Sequence, residues 1–174
     1  MQNLFSYPLN VDDLSVHEKK FNLTADKNAL AYIRDILKVP DVKSFQAEIY
    51  VRTERDTRLI IVHGTVEAEL ELQSVISLEN FLKKHTAGFE MVFDPAATPQ
   101  QQKELEIDFA EDLPDIVNGG KIDLADIAIE QLALVMDDYP RKEGEVFSFQ
   151  PEFNEDEEEK AAENPFNVLK KLKK

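Results

Sequence analysis

Apolar and polar residues alternate along much of the first hundred positions, and the period lengthens where helices are expected. Phe5, Tyr7 and Leu9 stand two apart, as do Phe21 and Leu23, which predicts one or two short strands. Leu30, Ile33, Ile36 and Leu37 then fall on one helical face, with Thr24 as the expected N-cap and Pro40 as the stop. A meander follows. Phe45, Ala47, Ile49 and Val51 alternate with Ser44, Gln46, Glu48 and Tyr50, and a charged turn around Arg55 and Asp56 leads into a more fully buried run at 59–62. Past Gly64, Val66, Ala68, Leu70 and Leu72 alternate with Thr65, Glu67, Glu69 and Glu71. One apolar and one acidic face is the pattern of a sheet packed on one side and solvated on the other.

Phe89, Met91 and Phe93 make a further strand, closed by Pro95. Residues 98–103 read as a loop, and Leu105, Ile107 and Phe109 as another short strand. Asn118-Gly119-Gly120 is a strong break, because consecutive glycines take positive φ at little cost. A second helix is expected beyond it. Asp123 is its candidate N-cap, Leu124, Ile127, Ala128, Gln131, Leu132 and Val135 form its apolar stripe, and Pro140 marks its exit. Asp123 and Asp126 lie at the positive end of that helix, where carboxylates are stabilising. Residues 1–150 therefore predict an α+β domain, a curved antiparallel sheet with two packed helices.

The composition then changes. Glu152 and the run 155–159 are acidic and poor in apolar side chains, so 151–163 reads as a disordered tether. Residues 164–174 read as a short basic amphipathic helix, capped by Asn164 with Pro165 at its first position. Phe166, Leu169 and Leu172 share one face, with Lys170, Lys171, Lys173 and Lys174 around the rest. A helix this short is marginal alone in water and needs a docking surface on its own body, a second copy or a partner.

Charge narrows the functional classes. The chain carries 35 acidic and 20 basic side chains, a formal net charge of -15. Such a surface repels phosphate backbones and anionic membranes and attracts basic partners. Cysteine is absent, which removes disulfides, thiolate metal sites and cysteine nucleophiles and fits a cytoplasmic protein. No apolar run is long enough to span a bilayer, and the first ten residues lack the pattern of a secretory signal.

The sequence carries no recognisable enzymatic motif. His17, His63 and His85 are far apart and belong to no paired ligand motif. Asp112, Asp115 and Asn118 have the wrong spacing for a calcium loop, and there is neither a nucleophile elbow nor a glycine-rich phosphate loop. No zinc-finger spacing, RNP-type motif or arginine-rich helix is present. The expectation is a non-enzymatic protein with no cofactor and no metal.

Three segments carry a resemblance. Residues 73–81 (QSVISLENF) end the glutamate-faced strand; Gly120 to Leu124 (GKIDL) continues through Glu130-Gln131-Leu132-Ala133-Leu134 to Tyr139-Pro140-Arg141; and Asn164-Pro165-Phe166-Asn167-Val168-Leu169 leads to the terminal lysines. Together, in this order and spacing, they resemble the YceD-like family of large ribosomal RNA subunit accumulation proteins. Many members of that family carry a C-x-x-C pair where this chain has Ser74 and Ser77. Serine hydroxyls are poor zinc ligands, so any thiolate chemistry of the family is closed to this chain. The resemblance implies a role in 23S ribosomal RNA accumulation and large-subunit assembly, no enzymatic activity, and, from the family's usual gene neighbourhood, a small basic ribosomal protein as partner.

The candidate partner-binding residues are Glu67, Glu69, Glu71, Asp123, Asp126, Phe166, Leu169, Lys170 and Leu172. The expected partner is a basic ribosomal protein or a pre-ribosomal particle, with direct contact to ribosomal RNA the lesser alternative and no membrane. The plainer reading of the glutamate row is a solvated strand face. A dedicated acidic chaperone for one ribosomal protein, acting on RNA indirectly, is the second hypothesis. An enzyme built on unrecognised carboxylates, which would require a cleft of converging Asp or Glu, is the third.

Overall fold

Residues 4–97 and 113–146 are described by a computed structural model. The chain divides into two compact units, Met1–Glu143 and Gly144–Lys174, and the architecture below is that of the first. In chain order it contains β1 (Pro8–Asn10), a 3-10 turn (Val11–Asp13), β2 (Lys19–Thr24), α1 (Lys27–Leu37), β3 (Asp41–Thr53), β4 (Ile60–Gln73), β5 (Asn80–Asp94), β6 (Asp115–Ile116), β7 (Lys121–Asp123) and α2 (Leu124–Leu134). Five strands form one sheet in the order β2-β3-β4-β5-β6, and β1 pairs with β7 as a separate ribbon. The pairs from β2 to β5 are antiparallel, but β6 runs parallel to the end of β5. The α+β class stands; the sheet is mixed rather than purely antiparallel.

Alternation along the strands builds a one-sided core. Phe45, Ala47, Ile49 and Val51 on β3 and Ile60, Val62, Val66, Ala68, Leu70 and Leu72 on β4 are buried. Ile33 of α1 and Leu132 of α2 join the same apolar cluster, so both helices cover this face and leave the other to water. Val42 also points inward, although its parity differs from that of Phe45. A bulge between Val42 and Ser44 resolves this, because one extra residue resets which face each side chain takes.

Gly64 does not interrupt β4. It lies opposite Ile49 in the β3–β4 register, and a Cβ built on it would stand 2.3 Å from the Glu48 carbonyl oxygen. Glycine is required there by close backbone approach. Strand β5 begins at Asn80, well before the Phe89–Met91–Phe93 alternation that signals it. Lys83 and His85 occupy positions on its inward side and mask the period.

The helix boundaries differ in detail from expectation. Asp26, not Thr24, caps α1, its carboxylate accepting the Ala29 N–H at 2.8 Å, while Thr24 is the last residue of β2. Ile36 is exposed; Ala29 and Ile33 form the buried part of the face, with Leu30 and Leu37 packed beside them. Lys38 ends α1 in the left-handed region at φ 55°, before Pro40. At the other helix Gly119 (φ 63°) and Gly120 (φ 70°) make the break, and Asp123 is the N-cap as expected. Leu124, Ala125, Ile127, Ala128, Ile129 and Leu132 bury α2 on most of its circumference, and Val135 is exposed. Among the described residues no helix is long and apolar enough to cross a membrane. The loop expected at 98–103, the strand at Leu105, Ile107 and Phe109, the tether and the terminal helix lie outside the described residues.

Candidate functional site

The acidic face is the outer surface of the β3–β4–β5 meander, opposite the helices. Along β4, Glu67 is exposed and Glu69 and Glu71 are partly so. Register sets their neighbours: Gln46 and Thr86 flank Glu67, Ser44 and Lys84 flank Glu69, and Asp41 and Leu82 flank Glu71. Gln46 Nε2 donates to Glu67 Oε2 at 3.0 Å. Lys43 Nζ bridges Asp41 Oδ2 at 2.7 Å and Glu71 Oε2 at 3.0 Å, and Asn80 Nδ2 donates to Glu71 Oε1 at 3.0 Å.

These contacts tune the charges. The hydrogen bonds that Lys43 donates to Asp41 and then to Glu71 push it up to about 12. Bonds from Lys43 and then Asn80 hold the Glu71 carboxyl below its ordinary value. A second cluster continues toward β2. Lys20 pairs with Glu48 at 2.6 Å, and the Tyr50 hydroxyl donates to Glu48 at 2.7 Å. The Tyr50 ring stacks on His63 with centroids 5.2 Å apart, and His63 Nε2 lies 2.9 Å from Glu18 Oε1. The result is an open, cross-linked polar layer with a shallow groove lined by Asn22, Thr24, Gln46, Glu48, Thr65 and Glu67. Among the described residues no group of three or more His, Cys, Asp or Glu is arranged to hold a metal ion.

Asp123 and Asp126 belong to a different region. Asp123 Oδ1 accepts N–H groups from Ala125 at 2.9 Å, Asp126 at 3.4 Å and Tyr7 at 2.9 Å, and Oδ2 accepts the Ser6 hydroxyl. It therefore caps α2 and staples the start of the chain to it. Asp126 is exposed in the first turn of α2. The glutamate row is brought together on one strand face, and Asp123 does not join it. Phe166, Leu169, Lys170 and Leu172 lie outside the described residues.

The β4–β5 turn holds the serines at the family's cysteine positions. Ser74 is fully buried, and its Oγ accepts the N–H groups of Ile76 at 3.1 Å and Ser77 at 3.3 Å. Leu78 sits at φ 61°, its N–H donating to the Ser74 carbonyl at 3.0 Å. The β3–β4 turn repeats this form, with Arg58 at φ 61° and its N–H on the Glu54 carbonyl at 3.1 Å. Hydrogen bonds to the Thr57 and Ser74 hydroxyls shape the two turns, and Arg58 and Leu78 take the left-handed positions, so no glycine announces either one.

A family model described as large ribosomal RNA subunit accumulation protein YceD matches residues 62–173, more than half of the chain. The chain belongs to the YceD family. No curated protein and no solved structure matches it. The matched span takes in the glutamate row, the Ser74–Ser77 turn, all of β5 and α2. Membership associates this YceD protein with accumulation of large-subunit ribosomal RNA. His85, which belongs to no paired ligand motif in the sequence, is buried on the inward side of β5.

Proposed function

We propose that this YceD protein is a cytoplasmic, non-enzymatic factor that supports 23S ribosomal RNA accumulation by holding a basic ribosomal protein, free or within a pre-ribosomal particle. The observation that carries the reading is the acidic outer sheet face, where Glu67, Glu69 and Glu71 project side by side from one rigid strand. A strand fixes such carboxylates at a repeat of about 6.6 Å, two residues of rise. That spacing suits lysines and arginines on an extended or helical basic segment. The net charge of -15 adds long-range attraction for a basic protein and disfavours bare RNA.

Capture with the full chain from lysate, with and without RNase, tests it. The reading expects a small basic ribosomal protein retained after RNase and weakened in the E67Q/E69Q/E71Q chain. Tight binding of naked 23S fragments at physiological salt, with no protein present, would overturn it. Retention of one ribosomal protein without any association with pre-ribosomal particles would instead favour the acidic chaperone.

A further inference from the structure

The segment after α2, residues 135–142, forms a strap over the end of the sheet that carries the β4–β5 turn. Three polar ties to the described residues of β5 and the β4–β5 turn hold it. Asp137 pairs with Lys83 on β5, the Val75 N–H donates to the Pro140 carbonyl at 2.9 Å, and Lys142 Nζ lies 3.1 Å from Glu79 Oε2. Apolar anchoring is sparse, since Val135 and Tyr139 are exposed and Met136 alone in the strap packs against the core. Exposed ion pairs each contribute little, about 0–1 kcal/mol in general. The strap is thus among the parts of the fold least costly to release.

His85 lies two residues along β5 from the Lys83 end of the first tie. It is 6% exposed, and neither ring nitrogen has a hydrogen-bond partner. Its cross-strand neighbour on β4 is Ala68, between Val66 and Leu70, so β4 offers it no charge or acceptor. The charged groups acting on it are Lys83 from β5, which opposes protonation, and Asp137 from the strap, which favours it. A neutral imidazole fills this space as a flat, mostly apolar ring. A buried cation there needs an acceptor; the Lys83 backbone favours it only weakly, and Asp137, the carboxylate acting on it, is already held by the Lys83 side chain.

We propose that His85 is an acid-sensitive latch: its protonation draws Asp137 from Lys83 or drives the ring outward, releasing the strap and opening the groove formed by Leu37, Val39, Leu72 and Met136. Burial, and secondarily Lys83, holds the imidazole below its ordinary value, so the latch stays closed at neutral pH.

Hydrogen–deuterium exchange of the full chain, corrected for intrinsic rates, tests this between about pH 4 and pH 7.5, a window that reaches below the ordinary histidine range because His85 is held below it. Residues 74–79 and 135–142 are expected to exchange at least about tenfold faster at the acidic end, while β3 and β4 stay protected. The H85Q chain should lose that pH dependence, and H85F serves as a second uncharged variant. In the wild-type chain the His85 ring resonances should titrate together with the Val75 amide, a readout independent of how either variant folds. Strap exchange that ignores pH, or that rises equally in both variants, would overturn the proposal. So would simultaneous opening of the whole sheet, which would make His85 a term in global stability and not a latch.

Discussion

Replacing Gly64 with alanine is expected to destabilise the domain strongly although it adds one methyl group. The new Cβ would stand 2.3 Å from the Glu48 carbonyl oxygen, 3.0 Å from Ile49 Cα and 3.2 Å from the Glu48 carbonyl carbon. An unstrained carbon–oxygen contact needs about 1 Å more. All three obstacles are backbone atoms of β3, so no side chain can swing aside, and β3 and β4 must separate in the middle of their pairing. Overpacking a core generally costs about 1–3 kcal/mol, and a backbone obstacle belongs at the upper end. Alanine recovers about 0.5–1 kcal/mol by restricting the unfolded chain. The expected net loss is therefore about 2 kcal/mol. Gly88 on β5 is the control, because a Cβ there meets nothing within 4 Å. G88A should leave stability unchanged or raise it by about 0.5 kcal/mol. Urea unfolding curves with a common slope measure both. A G64A midpoint within error of wild type, or an equal loss in G88A, would refute the reasoning.

Other expected outcomes follow from single contacts. D123A removes the acceptor of four donors at the start of α2 and should cost about 2 kcal/mol in chemical denaturation, with D123N recovering part of it. S74A strands the Ile76 and Ser77 N–H groups that Ser74 Oγ accepts, and a loss of about 1–3 kcal/mol should appear in the same assay. Asp41, Glu48 and Glu71 are held below their ordinary values by their lysine partners, so their contribution is complete above the ordinary carboxylate range and fades as pH falls through and below it. Lys43 works in the opposite sense: its contribution is complete below 10.5 and is lost as pH rises through about 12. Thermal midpoints across pH check both signs, and K43M should reduce the alkaline dependence, leaving the part that Lys20, also held above its ordinary value by Glu48, contributes.

Much of this fold is legible in the pattern of residues, and the exceptions have physical reasons. β3 and β4 are half-buried strands whose alternation is clean, and Asp123 is followed at once by the apolar run of α2, so these elements announce themselves. The first half of β5 does not, because Lys83 stands on its inward side with an aliphatic stem below an ion-paired head, and His85 is buried without being apolar. Thr24 resembles a cap but is claimed by pairing with Gln46 on β3, which leaves Asp26 to cap α1. Ile36 fits the helical stripe yet is exposed and outside the core cluster, so the stripe overstates the buried face of α1. The parallel pairing of β6 with Phe93 and Asp94 is a two-residue contact between distant segments, with no local signature at all. At the candidate site, the glutamate row and its outward orientation are readable from period two alone. Its partial neutralisation is not, since Lys43 reaches Glu71 only through the bulge and the strand register.

The central claim is that this YceD protein promotes large-subunit RNA accumulation through its acidic sheet face. The most direct test is the ratio of 23S to 16S ribosomal RNA, with the large-subunit peak on a gradient, in cells depleted of the protein and supplied with either the wild-type or the E67Q/E69Q/E71Q chain at equal level. The account expects wild type to restore the ratio and the triple variant, folded and expressed alike, to leave it depressed. Full restoration by the triple variant would contradict the role of this face, and an unchanged ratio on depletion would contradict the function itself.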